Sequence, residues 1–453
     1  MTWLTLADIA QMTGGTLTVP FDFAQETPIE RVERDSRTVQ AGDLFLALQG
    51  ERFDAHDFVP QVVGKASAAL VSRVVDAAIP QVVVDDVRLA LGRLAAAWRK
   101  HFYQPLVGLT GSNGKTTLKE MLAAILAKQG QTLATLGNLN NDIGMPLTLL
   151  RLRDSDAFAV IEMGSNHFGE IDYLTRIACP DVAIINNAGA SHLEGFGDIA
   201  GVAREKGDIC NGLSAKGVAI LNADDTYADY WRGLNPQRTV LSFGMKNAAD
   251  VQGISTVETP FAVQVQGQTV PVNLKLLGHH NQMNALAASA AALALGVNLA
   301  TICQGLESLQ PVKGRLNPKT GQHGGTVIDD TYNANPSSTA AAVDVLARLP
   351  GRKILVLGDM GELGDNGEQL HAAIGQQAAA AGIDALFTLG QLSANASAAF
   401  GQSAVACTDL ESLLTALQPT LQPGDTVLVK GSRSARMERV VDALTAVAVK
   451  EAA

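Results

Sequence analysis

The chain has 453 residues, well beyond one ordinary hydrophobic core; at roughly 150 residues per domain it should hold about three domains. Hydrophobic residues are 47% and charged residues 17%, which excludes wholesale disorder, and aromatic residues are only 5%, which suits Ala- and Gly-rich α/β layers better than an aromatic-rich β-sandwich. Lys plus Arg is 34 against 45 Asp plus Glu, a net −11 without a basic run, so nonspecific nucleic-acid or anionic-membrane binding is disfavoured, while a few local cations and backbone amides can still hold a small anion.

Cys179, Cys210, Cys303 and Cys407 lie far apart with no CxxC pair, against a zinc ribbon or disulfide scaffold and in keeping with a reducing cytosol. Met1 to Gly15 carries Asp8 and lacks a basic region followed by an apolar block, so no signal peptide is expected. The uncharged stretch Asn284 to Ala300 is Ala-rich and broken by Ser289, Gly296 and Asn298; it reads as a buried helix, not a membrane span. A cytoplasmic protein is the expectation.

In chain order, residues 1–85 form a first block with short apolar runs such as Leu44–Leu48 and turn signals at Gly42-Asp43 and Gly50. A second, 86–313, has strand-like runs at Leu106–Leu109, Phe158–Ile161, Val182–Ile185 and Val218–Leu221. A third, 314–453, has them at Val327-Ile328, Ile354–Leu357, Ala385–Leu389 and Thr426–Val429, and every interval except the last can hold an Ala-rich helix. Strands alternating with helices predict βαβ units and parallel sheets, an α/β fold class.

The sharpest local signal is Thr110-Gly111-Ser112-Asn113-Gly114-Lys115-Thr116-Thr117, between an apolar strand and a helical run from Leu118 to Lys128. Glycines let backbone N–H groups turn inward around phosphate oxygens, and the helix N-terminus adds partial positive charge. Lys115 would reach the β/γ-phosphates and the Thr116 hydroxyl would ligate Mg²⁺. Leu109 stands where the longer phosphate loop has its first Gly, so this is a shortened GxxGKTT loop. Phe158 to Glu162 is a strand ending in an acid, at the edge where a Mg²⁺-holding carboxylate sits in nucleotide-binding sheets.

Further motifs follow in order: Gly137-Asn138-Leu139-Asn140-Asn141-Asp142-Ile143-Gly144, Glu162-Met163-Gly164, His192-Leu193-Glu194, the Lys206 segment, Gly278 to Ala285 (GHHNQMNA), Gly314-Arg315 and Asp329 to Pro336 (DDTYNANP). Together they span nearly the whole chain, which resembles the Mur ligases, the ATP-dependent amide-forming enzymes that build the peptidoglycan peptide. The stretch Gly50 to Asp57, the DDTYNANP run and Lys430-Gly431-Ser432-Arg433-Ser434 are most similar to the branch that adds a dipeptide. The resemblance implies three domains: a small N-terminal α/β domain for the UDP substrate, a central P-loop-type parallel-sheet ATPase domain, and a C-terminal Rossmann-like domain on the D-alanyl-D-alanine side.

It also implies a reaction. The terminal carboxylate of UDP-N-acetylmuramoyl-tripeptide takes the γ-phosphoryl group of ATP, ADP leaves, and the amine of D-alanyl-D-alanine attacks the acyl phosphate. Lys115 would neutralise the phosphates. Thr116 and Glu162 would hold one Mg²⁺, and His192 a second together with Lys206 if that lysine is carbamylated. Asn281 and Asn284 match family positions at the adenine, and Arg315 and Asp330 match residues that reach phosphate and ribose, which would put ATP between the second and third domains. Lys313 stands where the family pattern has Pro before Gly-Arg. For the uridine diphosphate, Ser36, Arg37 and the stretch Arg52 to Asp57 are the candidates. Asn138, Asn140 and Asn141 are candidate substrate contacts, with Tyr332, Asn333, Asn335, Asp359, Lys430 and Ser432 after strands of the third block. Lys430, Arg433, Arg436 and Arg439 recur every third residue, a spacing that usually marks a solvated helix face. A monomer is expected. The competing readings are a sibling or polyglutamate-type ligase with another acceptor, a P-loop kinase or ATPase, and a silent binding module.

Overall fold

The computed structural model describes residues 4–19, 27–51, 53–255 and 260–445. Among them, three larger α/β sheets follow one another along the chain, besides a two-stranded sheet that pairs 4–5 with 28–29. The central one runs in the order 268–271, 262–265, 251–254, 239–244, 218–222, 182–185, 106–110, 158–162, 132–134. Its strands are parallel except for the hairpin 262–265/268–271, which extends one edge. Leu106–Thr110 and Val182–Ile185 are buried along their whole length, so they read as unbroken apolar runs without the alternation of a half-exposed strand.

The helix Lys115–Leu126 lies directly behind the phosphate loop. Leu118, Met121, Leu122 and Ile125 recur at helical spacing and are fully buried against the Ala-rich helix His279–Ala294 and the helix Leu299–Ser308. Alanines and Gly305 let these helices approach closely; a Cβ on Gly305 would come within 2.5 Å of the Ile125 backbone. Each such buried side chain contributes ~1.5–3 kcal/mol, so the loop rests on a rigid base. The stretch read as one buried helix to Ala300 is two helices broken at Gly296 (φ +80°), and no helix of the described residues is long and apolar enough to cross a membrane.

The first sheet runs 16–18, 81–83, 68–71, 43–46, 31–33, with only 16–18 antiparallel. The helix Val87–Arg99 joins it to the centre: its Leu91 and Leu94 share one apolar cluster with Leu44 and Leu70 on one side and Ile161 and Ile171 on the other.

The third sheet runs 317–320, 326–330, 426–430, 353–358, 385–389, 404–407, parallel except for 317–320. Its strands 326–330, 353–358 and 426–430 are adjacent, so Asp330, Asp359 and Lys430 gather at their C-terminal ends, the usual ligand edge of such sheets. Two readings are corrected here. The last interval holds a helix, a strand and a helix, 394–400, 404–407 and 410–417; the strand is at the sheet edge and mostly exposed, so it carries no apolar run to find. The basic residues after Lys430 do not share one helix face. Lys430 ends a strand, Arg433 opens a single 3-10 turn, Arg436 is left-handed (φ +51°), and the helix starts at Glu438.

Candidate active site

One cavity of about 1160 Å³ opens between the central and third sheets and reaches the linker helix. The loop residues Ser112–Gly114 form its floor. Gly114 caps the helix Lys115–Leu126 with φ +78°, which presents the first helical N–H groups to the cavity. Lys115 folds back so that its Nζ donates to the Gly111 carbonyl at 2.6 Å. Burial, opposed by Glu162 and assisted by Arg315, holds its amine below the usual lysine range.

Amides buttress this loop from below. Asn186 Nδ2 donates to the Asn113 carbonyl at 3.0 Å and to Asn284 Oδ1 at 2.8 Å, and Asn284 Nδ2 donates to Asn281 Oδ1 at 3.2 Å. Asn187 accepts from the Asn113 N–H at 2.9 Å. A Cβ on Gly114 would lie 2.4 Å from Asn284 Oδ1. Gly114→Ala should therefore pay about 1–2 kcal/mol for a left-handed L-residue and push the Asn284 amide aside. The expected result is ATP binding weakened by about tenfold or more with a modestly lower unfolding temperature, read by calorimetric titration and thermal unfolding; tight binding retained would contradict it.

The acidic side of the cavity is Glu162. Its Oε1 accepts from Asn140 Nδ2 at 2.7 Å, and its backbone N–H donates to Thr135 Oγ1 at 3.0 Å. Its Oε2 is buried with no hydrogen-bond partner. An orphaned buried carboxylate oxygen near the Thr116 hydroxyl's loop is a hard-oxygen donor set that suits Mg²⁺. Among the described residues, no three His, Cys, Asp or Glu side chains converge as a metal cage; Mg²⁺ commonly takes one or two protein carboxylates and fills its shell with phosphate oxygens and water.

His192 stands in the left-handed region (φ +51°), with Nδ1 2.5 Å from Oε2 of Glu362, itself left-handed (φ +59°) and contributed by the third unit. The Glu362 carboxyl is held below its ordinary value by His192. Lys206 is buried beneath the cavity, donates from Nζ to Ser165 Oγ at 2.7 Å and lies 5.3 Å from the Phe196 ring centroid. Burial, and after it the charge of Lys115, push its amine down to about 7.

The third unit closes over the loop by direct bonds. Arg315 Nη2 donates to Thr116 Oγ1 at 3.0 Å while its guanidinium stacks 4.2 Å from the Tyr332 ring centroid. Asn113 Nδ2 donates to Ser337 Oγ at 2.8 Å, and Asn335 Nδ2 donates to Asn113 Oδ1 at 2.8 Å. Gly314 (φ +72°) makes the turn that aims Arg315, with the Arg315 N–H donating to the Val312 carbonyl, so Lys313 is accommodated without Pro. Lys430 Nζ pairs with Asp330 Oδ2 at 2.7 Å and donates to the Asn333 carbonyl at 2.9 Å.

Of the residues singled out from sequence, Ser112 to Thr117, Asn138, Asn140, Asn141, Glu162, His192, Asn281, Asn284, Arg315, Asp330, Tyr332, Asn333, Asn335 and Lys430 line this cavity. Gly111 and Lys206 support it from behind. Asp359 and Ser432 do not line it; they hold each other, Ser432 Oγ donating to the Asp359 carbonyl at 2.6 Å, and Asp359 Oδ1 receives the Ser393 N–H. Ser36 lies in a turn away from the cavity, and Arg37 is an exposed partner of Asp35 at 2.6 Å, whereas Arg34 lines the wall. Arg52 lies outside the described residues. Sequence reasoning missed Asn186, Asn187, Ser337 and Glu362. The first two sit just past a buried strand, a position that marks the ligand edge; the last two carry no local signal.

A phosphate loop on a parallel sheet, clasped by an arginine and amides from a second α/β unit, is the arrangement of a ligase family. The Mur ligase middle domain matches residues 109–292, the Mur ligase glutamate ligase domain residues 314–433, and the Mur ligase catalytic domain residues 28–99. The chain belongs to the Mur ligase family. It is 45% identical over 450 residues to the UDP-N-acetylmuramoyl-tripeptide--D-alanyl-D-alanine ligase of Escherichia coli (strain K12), covering 97% of this chain and 98% of that one. It superposes on the crystal structure of MurF from Acinetobacter baumannii with a TM-score of 0.90 at 41% identity, over 97% and 98% of the two chains. On the MurF ligase from Thermotoga maritima in complex with ADP the TM-score is 0.82 at 30% identity, over 91% and 96%.

Proposed function

We propose that this chain joins D-alanyl-D-alanine to UDP-N-acetylmuramoyl-tripeptide at the expense of ATP, giving UDP-N-acetylmuramoyl-pentapeptide, ADP and phosphate. The observation that carries the reading is the convergence of Lys115, Glu162 and Arg315 on one cavity whose walls come from two α/β units, in a chain matched end to end by D-alanyl-D-alanine-adding relatives. A carboxylate is a poor acyl donor until one of its oxygens becomes a leaving group. Transfer of the γ-phosphoryl group to it brings two anions together, so cations must be placed beforehand.

Lys115 and Arg315 are those cations. Lys115 would swing from the Gly111 carbonyl to the β/γ-phosphates, and Arg315 would follow from Thr116. Glu162 Oε2 and the Thr116 hydroxyl would hold Mg²⁺, with His192 and a carbamylated Lys206 at a second position; bound there, the metal offsets phosphate charge. The Asn281–Asn284 amides would face the adenine, and the Asp330–Lys430 pair would meet the ribose and phosphate side. Asn138, Asn140 and Asn141 face the substrate. Enclosure between the units keeps water from the acyl phosphate until the amine attacks and phosphate leaves.

The Lys206 reading has its own test. An amine pushed down to about 7 is largely neutral at pH 8, as addition to CO₂ requires. With ¹³C-bicarbonate a carbamate carbonyl resonance is expected in the native protein and not in Lys206→Met. Its absence from both would remove the assignment. The same shift sets a pH dependence. Between about 7 and the ordinary lysine value the unfolded chain holds this proton and the folded chain releases it, so this residue's contribution makes stability rise with pH through that window.

The reaction itself is tested by phosphate release in a drop-out series with ATP and Mg²⁺. Release that needs both the UDP-tripeptide and D-alanyl-D-alanine, with a UDP-pentapeptide by mass spectrometry, is expected. Release indifferent to the dipeptide would return the acceptor to a sibling ligase or point to a kinase-like enzyme.

A further inference from the structure

A buried cation behind the phosphate loop takes no part in the chemistry described above. Lys119 lies one turn beyond Lys115 on the helix Lys115–Leu126, is 1% exposed and does not line the cavity. Its Nζ donates to the Thr135 carbonyl at 2.6 Å and pairs with Glu120 Oε1 at 2.8 Å. Burying an ammonium is costly, and an unbranched apolar side chain would fill the same space. What the amine adds is a strong donor aimed at one peptide group.

That peptide group stands where the edge strand Thr132–Ala134 ends. The strand is parallel to Phe158–Glu162, with Ala134 opposite Val160, and the Thr135 N–H continues the ladder by donating to the Val160 carbonyl at 3.1 Å. In an unbroken parallel ladder the next bond would run from the Glu162 N–H to the Thr135 carbonyl. Lys119 claims that carbonyl, and the Glu162 N–H goes to Thr135 Oγ1 at 3.0 Å. With the planar peptide groups on both sides of Thr135 pinned, the direction of its Cβ is set, so the hydroxyl stands in for the missing acceptor. The chain then leaves the sheet through Leu136 and Gly137 (φ +53°). It returns at Asn140, whose Nδ2 donates to Glu162 Oε1 at 2.7 Å and whose carbonyl accepts from the Gly164 N–H at 2.9 Å.

We propose that Lys119 is a positioning residue for the metal-bound nucleotide. By drawing the Thr135 carbonyl out of the ladder, it turns the hydroxyl onto Glu162 and starts the loop that brings Asn138, Asn140 and Asn141 to the cavity. Glu162 is then fixed from two sides, its backbone by Thr135 and its Oε1 by Asn140, which leaves Oε2 as the atom offered to Mg²⁺. Support of this kind around a metal-holding carboxylate typically sets metal affinity. The inference deepens the ligase reading above and rests on it.

The test is calorimetric titration of ATP into the full-length protein, with Mg²⁺ and with EDTA in its place. The ratio of the two affinities gives the factor by which metal tightens binding, read without turnover. Lys119→Met keeps an unbranched chain and removes the donor; it should cut that factor about fivefold or more. Affinity in EDTA should change about twofold or less. Thr135→Val, which removes the hydroxyl, should act in the same way, and Thr135→Ser should restore the native value. Lys119→Gln, a shorter neutral donor, should restore part of it.

In Glu162→Gln the metal factor should already be small, and adding Lys119→Met should change it by less than about twofold, because both act through one carboxylate. Equal weakening with and without metal, together with a lower unfolding temperature, would mark a role in the fold and overturn the proposal. So would losses that multiply in the double variant. If Lys119→Met fails to fold, Lys119→Gln and the two Thr135 variants are judged by the same criteria. A metal factor unchanged in Glu162→Gln would remove both the metal role of Glu162 and this proposal. If the native protein forms no amide from UDP-tripeptide and D-alanyl-D-alanine, the ligase reading fails, and the titrations still decide on Lys119.

Discussion

Lys115→Ala should lower turnover by about a thousandfold or more while leaving the apparent unfolding temperature close to that of the native protein. Burial holds the amine below its ordinary range, and its hydrogen bond goes to the Gly111 carbonyl, so little of the fold depends on it. Removing it deletes the cation that offsets anion–anion repulsion during phosphoryl transfer, and it takes away little packing. A second effect reaches Lys206, because the Lys115 charge helps to depress that amine. In Lys115→Ala the Lys206 amine should titrate higher, and its carbamate signal at fixed bicarbonate should weaken. Steady-state kinetics, thermal unfolding and the ¹³C resonance read the three consequences; a large destabilisation would show that Lys115 serves the fold.

Glu162→Gln should move stability and activity in opposite directions. The carboxylate is buried, one oxygen is satisfied by Asn140 and the other has no partner. Burying a carboxylate oxygen without a hydrogen bond is costly, and a neutral amide of the same shape lowers that cost while its carbonyl keeps the Asn140 bond. The variant should therefore unfold at a higher apparent temperature in metal-free buffer. Turnover should fall by about a hundredfold or more, with the Mg²⁺ concentration needed for half-maximal rate displaced upward. A variant equally active at the same Mg²⁺ level would exclude Glu162 as a ligand.

Much of this architecture was legible because its signals are local. Leu106–Thr110, Val182–Ile185 and Thr426–Lys430 are buried on both faces and announce themselves as apolar runs, and the phosphate loop is continuous in sequence. What stayed hidden depends on pairs far apart in the chain. Asn113 meets Asn335 and Ser337 more than two hundred residues away, and nothing near Asn113 encodes that meeting. Glu362 meets His192 from a segment far along the chain, with both residues in left-handed backbone. Arg37 and Arg34 illustrate a finer limit: they lie three residues apart with the same charge, and only folded geometry shows that one pairs with Asp35 while the other faces the cavity. Asp359 and Ser432 sit at the expected sheet edge, yet they bond to each other.

The bonds that join the two units at the phosphate loop have a thermodynamic consequence. Arg315 on Thr116, and Asn335 and Ser337 on Asn113, occupy donors and acceptors that a triphosphate and its metal would also claim. Nucleotide entry is then an exchange of partners, and its affinity is the difference between the new contacts and those surrendered. The same exchange runs backwards after catalysis. When phosphoryl transfer has shortened the nucleotide, the loop can return to its own arginine and amides, so the protein competes with its product for its own floor. Clearing the site is in this sense a property of the interface, and tightening or loosening these few side-chain bonds should change the lifetime of bound ADP before it changes the chemistry.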